Sequence, residues 1–477
     1  MKIRYGLVLA MTLGLGLVGC ASGGGGSGGG GLDAILAQGE GTGEPPRETP
    51  NTEAAEQALE AASEAEENGD DAQARVHYQQ ALDAANAAVA EDGTNPLGHR
   101  LAGLAALGLD DYEAAGNHFD RAIELRPVYE FQLVETRENA WIDLYQEATP
   151  HVQSGDYESA VPFFENADAI YQGRPEAMLT LGQIYAQLRR HDESIENIDA
   201  ALDFRESEMY SVVDSTTRAG WDEQLADLPL LKAQVLADAG RWEEAVVLYE
   251  DLSAQNPSDV ELKRGLAAIL MELERQDEAF AIYDEMMNMP GLSPSALFSI
   301  GVGFYQGSEY ELAAQAFSRA AEVSVNDRDA LEMWARSLQL GEMFTEVPAV
   351  ADRWIELDPN SQNAWLILAQ SANQSGDQET TQEAVQAVEA LEVSVQDLQM
   401  TRIANGGASI TGSLINKTLD SGASVTMRFT FYDNSGSPIG TVTESITVGE
   451  VDMAEVFQLQ FDSAEQVGGY GYQMTVD

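Results

Sequence analysis

One recurrence runs down most of this chain and limits what it can fold into. A small residue is followed four positions later by a bulky one, and three further on by another small or apolar one. The first position falls at Ala74, Ala115, Ala160, Ser194, Ala245, Ala279 and Ala313, with Val347 and Thr381 as weaker equivalents. The steps between them are 41, 45, 34, 51, 34, 34, 34 and 34 residues. The bulky partners are Tyr78, Phe119, Phe164, Ile198, Tyr249, Tyr283 and Phe317; the third positions are Ala81, Ala122, Ala167, Ala201, Leu252, Met286 and Ala320. The intervening sequence is rich in Ala, Glu, Leu and Gln at helical spacing, so each unit reads as a pair of helices. Small residues let the two helices approach, and the bulky one fills the groove beside them. Gly69, Gly155, Gly240, Gly307 and Gly376 fall between paired helices, where a tight turn is needed. The longer steps predict extended helices or inserted segments, the largest around residues 206–222.

The segment LAGLAALGLDDYEAAGNHFDRAIELRP (101–127) places Gly103, Ala115, Phe119, Ala122 and Pro127 at family-like spacing. Gly182 and Tyr185 in LGQIYAQL (181–188), and Gly301 further on, occupy first-helix positions of later copies. The pattern resembles the tetratricopeptide repeat over about 340 residues. That resemblance implies a mainly α fold, with about nine helical hairpins across 53–394 stacked into an α–α superhelix. It also implies a concave groove, lined largely by first helices, that grips a peptide or a partner helix. Tyr185, Phe304 and Trp365 lie on first helices, where core packing competes with groove contact. Units eight and nine depart furthest: Ala351 and Val385 replace the aromatic, and Trp354 replaces a small residue.

After about residue 395 the apolar period changes to two. SVTMRFTFY (424–432) alternates Val425, Met427, Phe429 and Phe431 with polar neighbours, and DNSG (433–436) reads as a turn. Further strands are expected at 408–415, 440–448, 454–461 and 470–476, making a small β-sandwich of five strands over 395–477. FTFYD, NSGSPIGT and the late GGYGYQMTV resemble an FxLYD-type domain, with Phe431 in place of that family's leucine. The resemblance implies an extracytoplasmic bacterial setting and no catalytic role. Asp433 reads as a turn residue rather than a ligand.

The chain starts with Lys2 and Arg4, then an uncharged apolar run over residues 5–19. Fifteen residues make a helix of only ~22 Å against a hydrocarbon core of ~30 Å, which favours a signal peptide over a span. Leu17, Val18, Gly19 and Cys20 resemble a bacterial lipobox, which implies cleavage of residues 1–19 and lipidation of Cys20, the chain's one cysteine. Ala21 after it resembles an outer-membrane sorting signal. Residues 20–52, Gly/Ser-rich and then polar, read as a flexible tether reaching about 30 Å. Within it, Gly25-Gly26-Ser27-Gly28-Gly29 matches a nucleophile motif by letter only, since a glycine run supplies no strand–turn–helix.

Eighty acidic residues face 25 basic ones, a net charge of −55. Such a surface repels phosphate, so nucleic acid is not an expected partner. The acidity fits either salt adaptation, which its even spread favours, or a docking surface for basic segments. One cysteine makes neither an internal disulfide nor a zinc site. The five histidines (His77, His99, His118, His151, His191) read as lying in different repeats, without the spacing of a helical metal pair. No calcium loop or phosphate loop is present, and the sequon at Asn416 carries no expected role. The expectation is therefore a protein without cofactor, metal, catalytic residue or small-molecule substrate. It is a lipid-anchored scaffold on the periplasmic side of the outer membrane that binds protein partners during envelope assembly. The alternative is a component of a polysaccharide-export or secretion machine; an enzyme or an enzyme's regulatory subunit is the third class weighed.

Overall fold

The computed structural model describes residues 42–403 and 406–476. The lipobox, Cys20 and most of the expected tether lie outside them. The chain divides into two compact units, 42–245 and 246–476, with the division inside one helix.

The first unit contains four complete hairpins: α1 (Pro50–Glu67) with α2 (Asp71–Glu91), α3 (Pro96–Leu107) with α4 (Tyr112–Leu125), α5 (Tyr129–Ser154) with α6 (Tyr157–Ile170), and α7 (Glu176–Gln187) with α8 (His191–Asp203). A 3-10 turn (Phe204–Glu206), a short α9 (Glu208–Val212) and α10 (Ser215–Leu225) follow, and then α11 (Leu228–Asp238) leads into α12 (Trp242–Gln255). The long steps are thus explained. Helix α2 has 21 residues, α5 has 26, and the 51-residue step holds the insert. Asp70, Asp111 and Asp156 cap α2, α4 and α6 by accepting from the backbone N–H three residues on. Part of the acidity therefore serves helix starts.

The expected tether is corrected at its end. Residues 43–49 lie against the helices, and α1 begins at Pro50. Glu44 N donates to Leu125 O at 2.7 Å. Arg47 and Asn95 exchange two hydrogen bonds, of 3.0 and 2.7 Å, and Arg47 pairs with Asp92. Backbone so satisfied is part of the fold, which composition alone did not reveal.

The second unit holds α13 (Val260–Glu272) with α14 (Gln276–Met287), α15 (Pro294–Gln306) with α16 (Tyr310–Val323), α17 (Arg328–Leu340) with α18 (Val347–Leu357), and α19 (Gln362–Ser375) with α20 (Gln378–Glu389). Eight helix pairs thus pack as hairpins among the described residues, and α11 and α12 follow in the same helix–turn–helix order across the division. Each of the nine turns holds one left-handed residue: Gly69, Asp110, Gly155, Arg189, Gly240, Glu274, Ser308, Glu342 and Gly376. Gly307 is not one of them; the positive φ of that turn belongs to Ser308. A β-carbon is strained in this conformation. Changing Arg189, Glu274 or Glu342 to Gly should raise stability by about 1 kcal/mol each, read as a higher urea midpoint with an unchanged slope.

Inside the hairpins, small and bulky residues interlock. A β-carbon at Gly103 would lie 2.5 Å from the Phe119 ring, at Gly182 2.8 Å from Ile198, and at Gly301 2.7 Å from Phe317. Ala115, Ala122, Ala245, Tyr249, Ala279, Tyr283, Ala313 and Ala320 are all buried.

Six strands follow, not five: β1 (Val393–Arg402), β2 (Ala408–Asn416), β3 (Ser424–Tyr432), β4 (Pro438–Thr447), β5 (Ala454–Phe461) and β6 (Gly469–Val476). They form two antiparallel three-stranded sheets, β1-β2-β5 and β4-β3-β6. Val395, Ile410, Leu414, Met427, Phe429, Phe457 and Leu459 fill the space between them, and the Phe431 and Phe461 rings stack at 4.3 Å. Strand β1 escaped the alternation test because it bulges between Gln396 and Gln399, with Asp397 left-handed. The buried residues switch from odd positions (Val393, Val395) to even ones (Leu398), so no single period-two run exists.

Candidate functional site

The first-helix aromatics do not form an open patch. Tyr185 is 2% exposed, donates to Glu165 and lies under the Arg190 guanidinium at 4.4 Å. Phe304 is 1% exposed, and the half-buried Trp365 donates from Nε1 to Pro359 O. Asp433 lies in its turn, accepting from Ser435 Oγ at 2.6 Å and Ser437 N at 2.9 Å; these hydrogen bonds hold its carboxyl below the usual range.

The histidine reading needs correction. His99 on α3 and His118 on α4 share one hairpin, with their Nδ1 atoms 3.2 Å apart. His99 Nε2 lies 3.3 Å from Gly93 O, so it carries the proton, and His118 Nδ1 donates to His99 Nδ1. Helical spacing rules miss such a pair because its members stand on different helices. Among the described residues no group of three or more metal-ligating side chains occurs. Burial holds both imidazoles below their ordinary value; for His99 the hydrogen bond to Gly93 O opposes this and Arg121 adds to it, and for His118 the neighbouring ring adds to it against an opposing Asp111. The folded pair therefore binds fewer protons than the unfolded chain below pH ~6.5, and its stability contribution is lost as the pH falls. Asp168 and Asp329, each pushed up to about 6 by burial, act with opposite sign between ~3.8 and 6. A His118→Gln variant isolates the pair: between pH 7 and 5 it should lose less stability than the parent in urea titrations.

The insert after hairpin four covers part of that hairpin's first helix. Trp221 of α10 donates from Nε1 to Glu176 of α7 at 3.2 Å and packs edge-on against Phe204. Arg174 bridges Glu138 and Glu176 and lies 4.7 Å over the Trp141 ring. The step length showed where this insert lies but not what it touches.

Within the second unit, the sandwich is joined to hairpins seven to nine by a buried polar network. Arg328, at the first position of α17, is its centre. It donates from Nε and one terminal nitrogen to Asp358 Oδ2 at 3.0 and 2.7 Å, and from the other to Asp329, Glu332 and the Leu398 carbonyl of β1. The fully buried Trp354 ring lies 5.3 Å away. From β6, Tyr472 donates to Asp358 at 2.7 Å and Tyr470 to Asp329 at 3.0 Å. Arg402 of β1 reaches Asp327 at 2.8 Å. Burial raises the Asp358 and Asp329 carboxyls against the opposing pull of Arg328. At Glu332 burial pushes upward too, but the Arg328 and Arg336 guanidiniums outweigh it and hold the carboxyl below its usual range. Backbone completes the joint. Tyr470 N donates to Asn326 O at 3.1 Å, and Val395 N to Asn360 O at 2.9 Å. Strands β1 and β6 are the edges of their sheets, so interhelix loops cover what would otherwise be open hydrogen-bonding edges.

Beside this joint lies a cleft of about 560 Å³ between the 325–326 loop, α18 and the outer face of β3 and β6. Phe429 and Phe431 point into the sandwich, so alternation turns Arg428, Thr430 and Tyr432 outward to floor it. Arg353, Glu356 and Leu357 of α18 form its wall.

Tetratricopeptide-repeat family descriptions match residues 101–129, 151–209 and 230–286. The TPR repeat-containing protein YpiA of Bacillus subtilis (strain 168) is 24% identical over 222 residues, 43% of this chain; the chain spans about half (52%) of that relative's length. Among solved structures, YrrB, described as a TPR protein with an unusual peptide-binding site, is 17% identical, with a TM-score of 0.31, over 38% of this chain and 93% of its own. A tetratricopeptide repeat protein from Parabacteroides merdae is also 17% identical, with a TM-score of 0.27, over 60% of this chain and 99% of its own. MamA from Desulfovibrio magneticus RS-1 is 18% identical, with a TM-score of 0.30, over 35% and 94% respectively. With its nine helix–turn–helix units and three family matches, the chain carries tetratricopeptide repeats, which are units of protein–protein interaction.

Proposed function

We propose that the protein is a lipid-anchored scaffold on the periplasmic side of the outer membrane that holds protein partners on the first helices of its repeats. The observation that carries the reading is the recurrence of one helix–turn–helix order nine times among the described residues, which repeats one kind of surface along the chain. Leu17, Val18, Gly19 and Cys20 support the anchor, and the sandwich is read as an FxLYD-type extracytoplasmic domain. The mechanism is raised local concentration of bound partners, without bond-making. The acidity is read chiefly as salt adaptation, with a secondary preference for basic segments.

Two measurements test the proposal. Radiolabelled palmitate should enter the parent protein, whereas Cys20→Ser should stay unlabelled and leave the membrane fraction; labelling of the variant would remove the anchor. A photocrosslinking residue placed at the exposed Glu135 or Asn139 of α5 should capture one and the same partner in cells, and one at Glu196 of α8 should not. Equal capture from both helices would remove the first-helix reading. Partners drawn from a polysaccharide-export or secretion machine would assign the scaffold to that machine.

A further inference from the structure

The cleft beside the sandwich joint lies between α18 and the sheet of β3 and β6, and its chemistry is unlike the rest of the chain. In a protein with 80 acidic residues, most described arginines sit against a carboxylate. Arg353 and Arg428 form no ion pair among the described residues, and both line this one cleft. Arg353 is set in place by its own fold: one terminal nitrogen donates to the carbonyls of Ala321 at 3.3 Å and Val325 at 3.0 Å, which leaves the other terminal nitrogen and Nε for a ligand. Arg428 is exposed on β3, and its cross-strand neighbours, Thr443 and Gln473, are neutral. The cleft has the volume of a small-ligand site.

We propose that this cleft binds the free carboxylate end of a polypeptide. Two guanidiniums facing one cavity suit a carboxylate, which accepts charge-assisted hydrogen bonds from both. Glu356 in the same wall suits an acceptor for the last backbone N–H, and Leu357 offers apolar contact for the last side chain. Glu356 and the net charge of −55 disfavour a phosphate dianion, which meets twice the repulsion of a monoanion and brings no N–H in return.

The test is calorimetric titration of the full chain with four probes: N-acetyl-Ala-Ala-Leu with a free carboxylate, the same tripeptide as its amide, succinate, and inorganic phosphate. The free-acid peptide should bind, and the amide about tenfold more weakly or worse. Arg428→Gln, which removes an exposed side chain without an ion pair, should weaken the free-acid peptide about tenfold or more while leaving thermal unfolding unchanged. Arg353→Gln should do the same, with its unfolding curve followed because two carbonyls lose their donor. Arg264→Gln on α13, remote from the cleft lining, should change nothing. Equal affinity for acid and amide, tighter binding of succinate or phosphate, indifference to Arg428→Gln, or no saturable binding of the free-acid peptide would each overturn the proposal.

Discussion

An Arg328→Met variant should lose about 3–5 kcal/mol of the second unit's stability. Arg328 is 5% exposed and its partner Asp358 is 0% exposed, so neither charge can turn to water when the other is lost. Methionine fills most of the volume but leaves Asp358 to Tyr472 alone, Asp329 to Tyr470 and the Met400 amide, and Glu332 to Arg336. Only Glu332 then keeps a cation, the half-exposed Arg336, and Asp329 and Asp358 keep none. Urea unfolding followed by fluorescence should show the loss, and limited proteolysis should release a fragment near 393–476 at urea concentrations the parent resists. Acidification separates the electrostatic cause from a packing fault. Once the stranded carboxyls are protonated their burial cost falls, so the variant should recover towards the parent as the pH drops below about 6, the value to which Asp329 is already raised. A deficit independent of pH would mean that Arg328 acts through shape alone.

Gly469→Ala should destabilise the same joint by about 3 kcal/mol. A β-carbon there would lie 1.8 Å from the Asn326 carbonyl oxygen and 2.7 Å from the Asp327 amide nitrogen. Both are backbone atoms, so no side chain can swing aside. Strand β6 would have to withdraw from the loop, breaking the Tyr470 N–H to Asn326 bond and drawing the Tyr470 hydroxyl away from Asp329. The matching control is Gly220→Ala on α10, where nothing lies within 4 Å of the added carbon. Helix propensity makes that change neutral or stabilising by up to about 1 kcal/mol. Similar losses in the two variants would show that the close approach at Gly469 is not what holds β6.

The hairpins were legible because the contacts that make them are short in sequence. Gly103 meets Phe119 sixteen residues on, and the same offset returns with Gly301 and Phe317. Such pairs leave a period in the chain. The turns were half legible: Gly69 and Gly155 could be read, whereas Arg189 and Glu274 take the same conformation without the residue that advertises it. Units eight and nine departed from the pattern for a reason now visible. Trp354 abandons the small-residue position to lie fully buried beside Arg328, so the irregularity belongs to the attachment of the sandwich.

From the sequence alone came the nine helix–turn–helix units, the place of the insert and five of the six strands, because each follows from which residues stand three, four or two apart. The tertiary structure alone decided that the last sheets are sealed onto the helices, that two histidines meet, and that two arginines face one cleft. Tyr470 and Asp329 are 141 residues apart, and Tyr472 and Asp358 are 114. No periodicity links such positions; they meet only because two separately readable folds are pressed together around one buried cation.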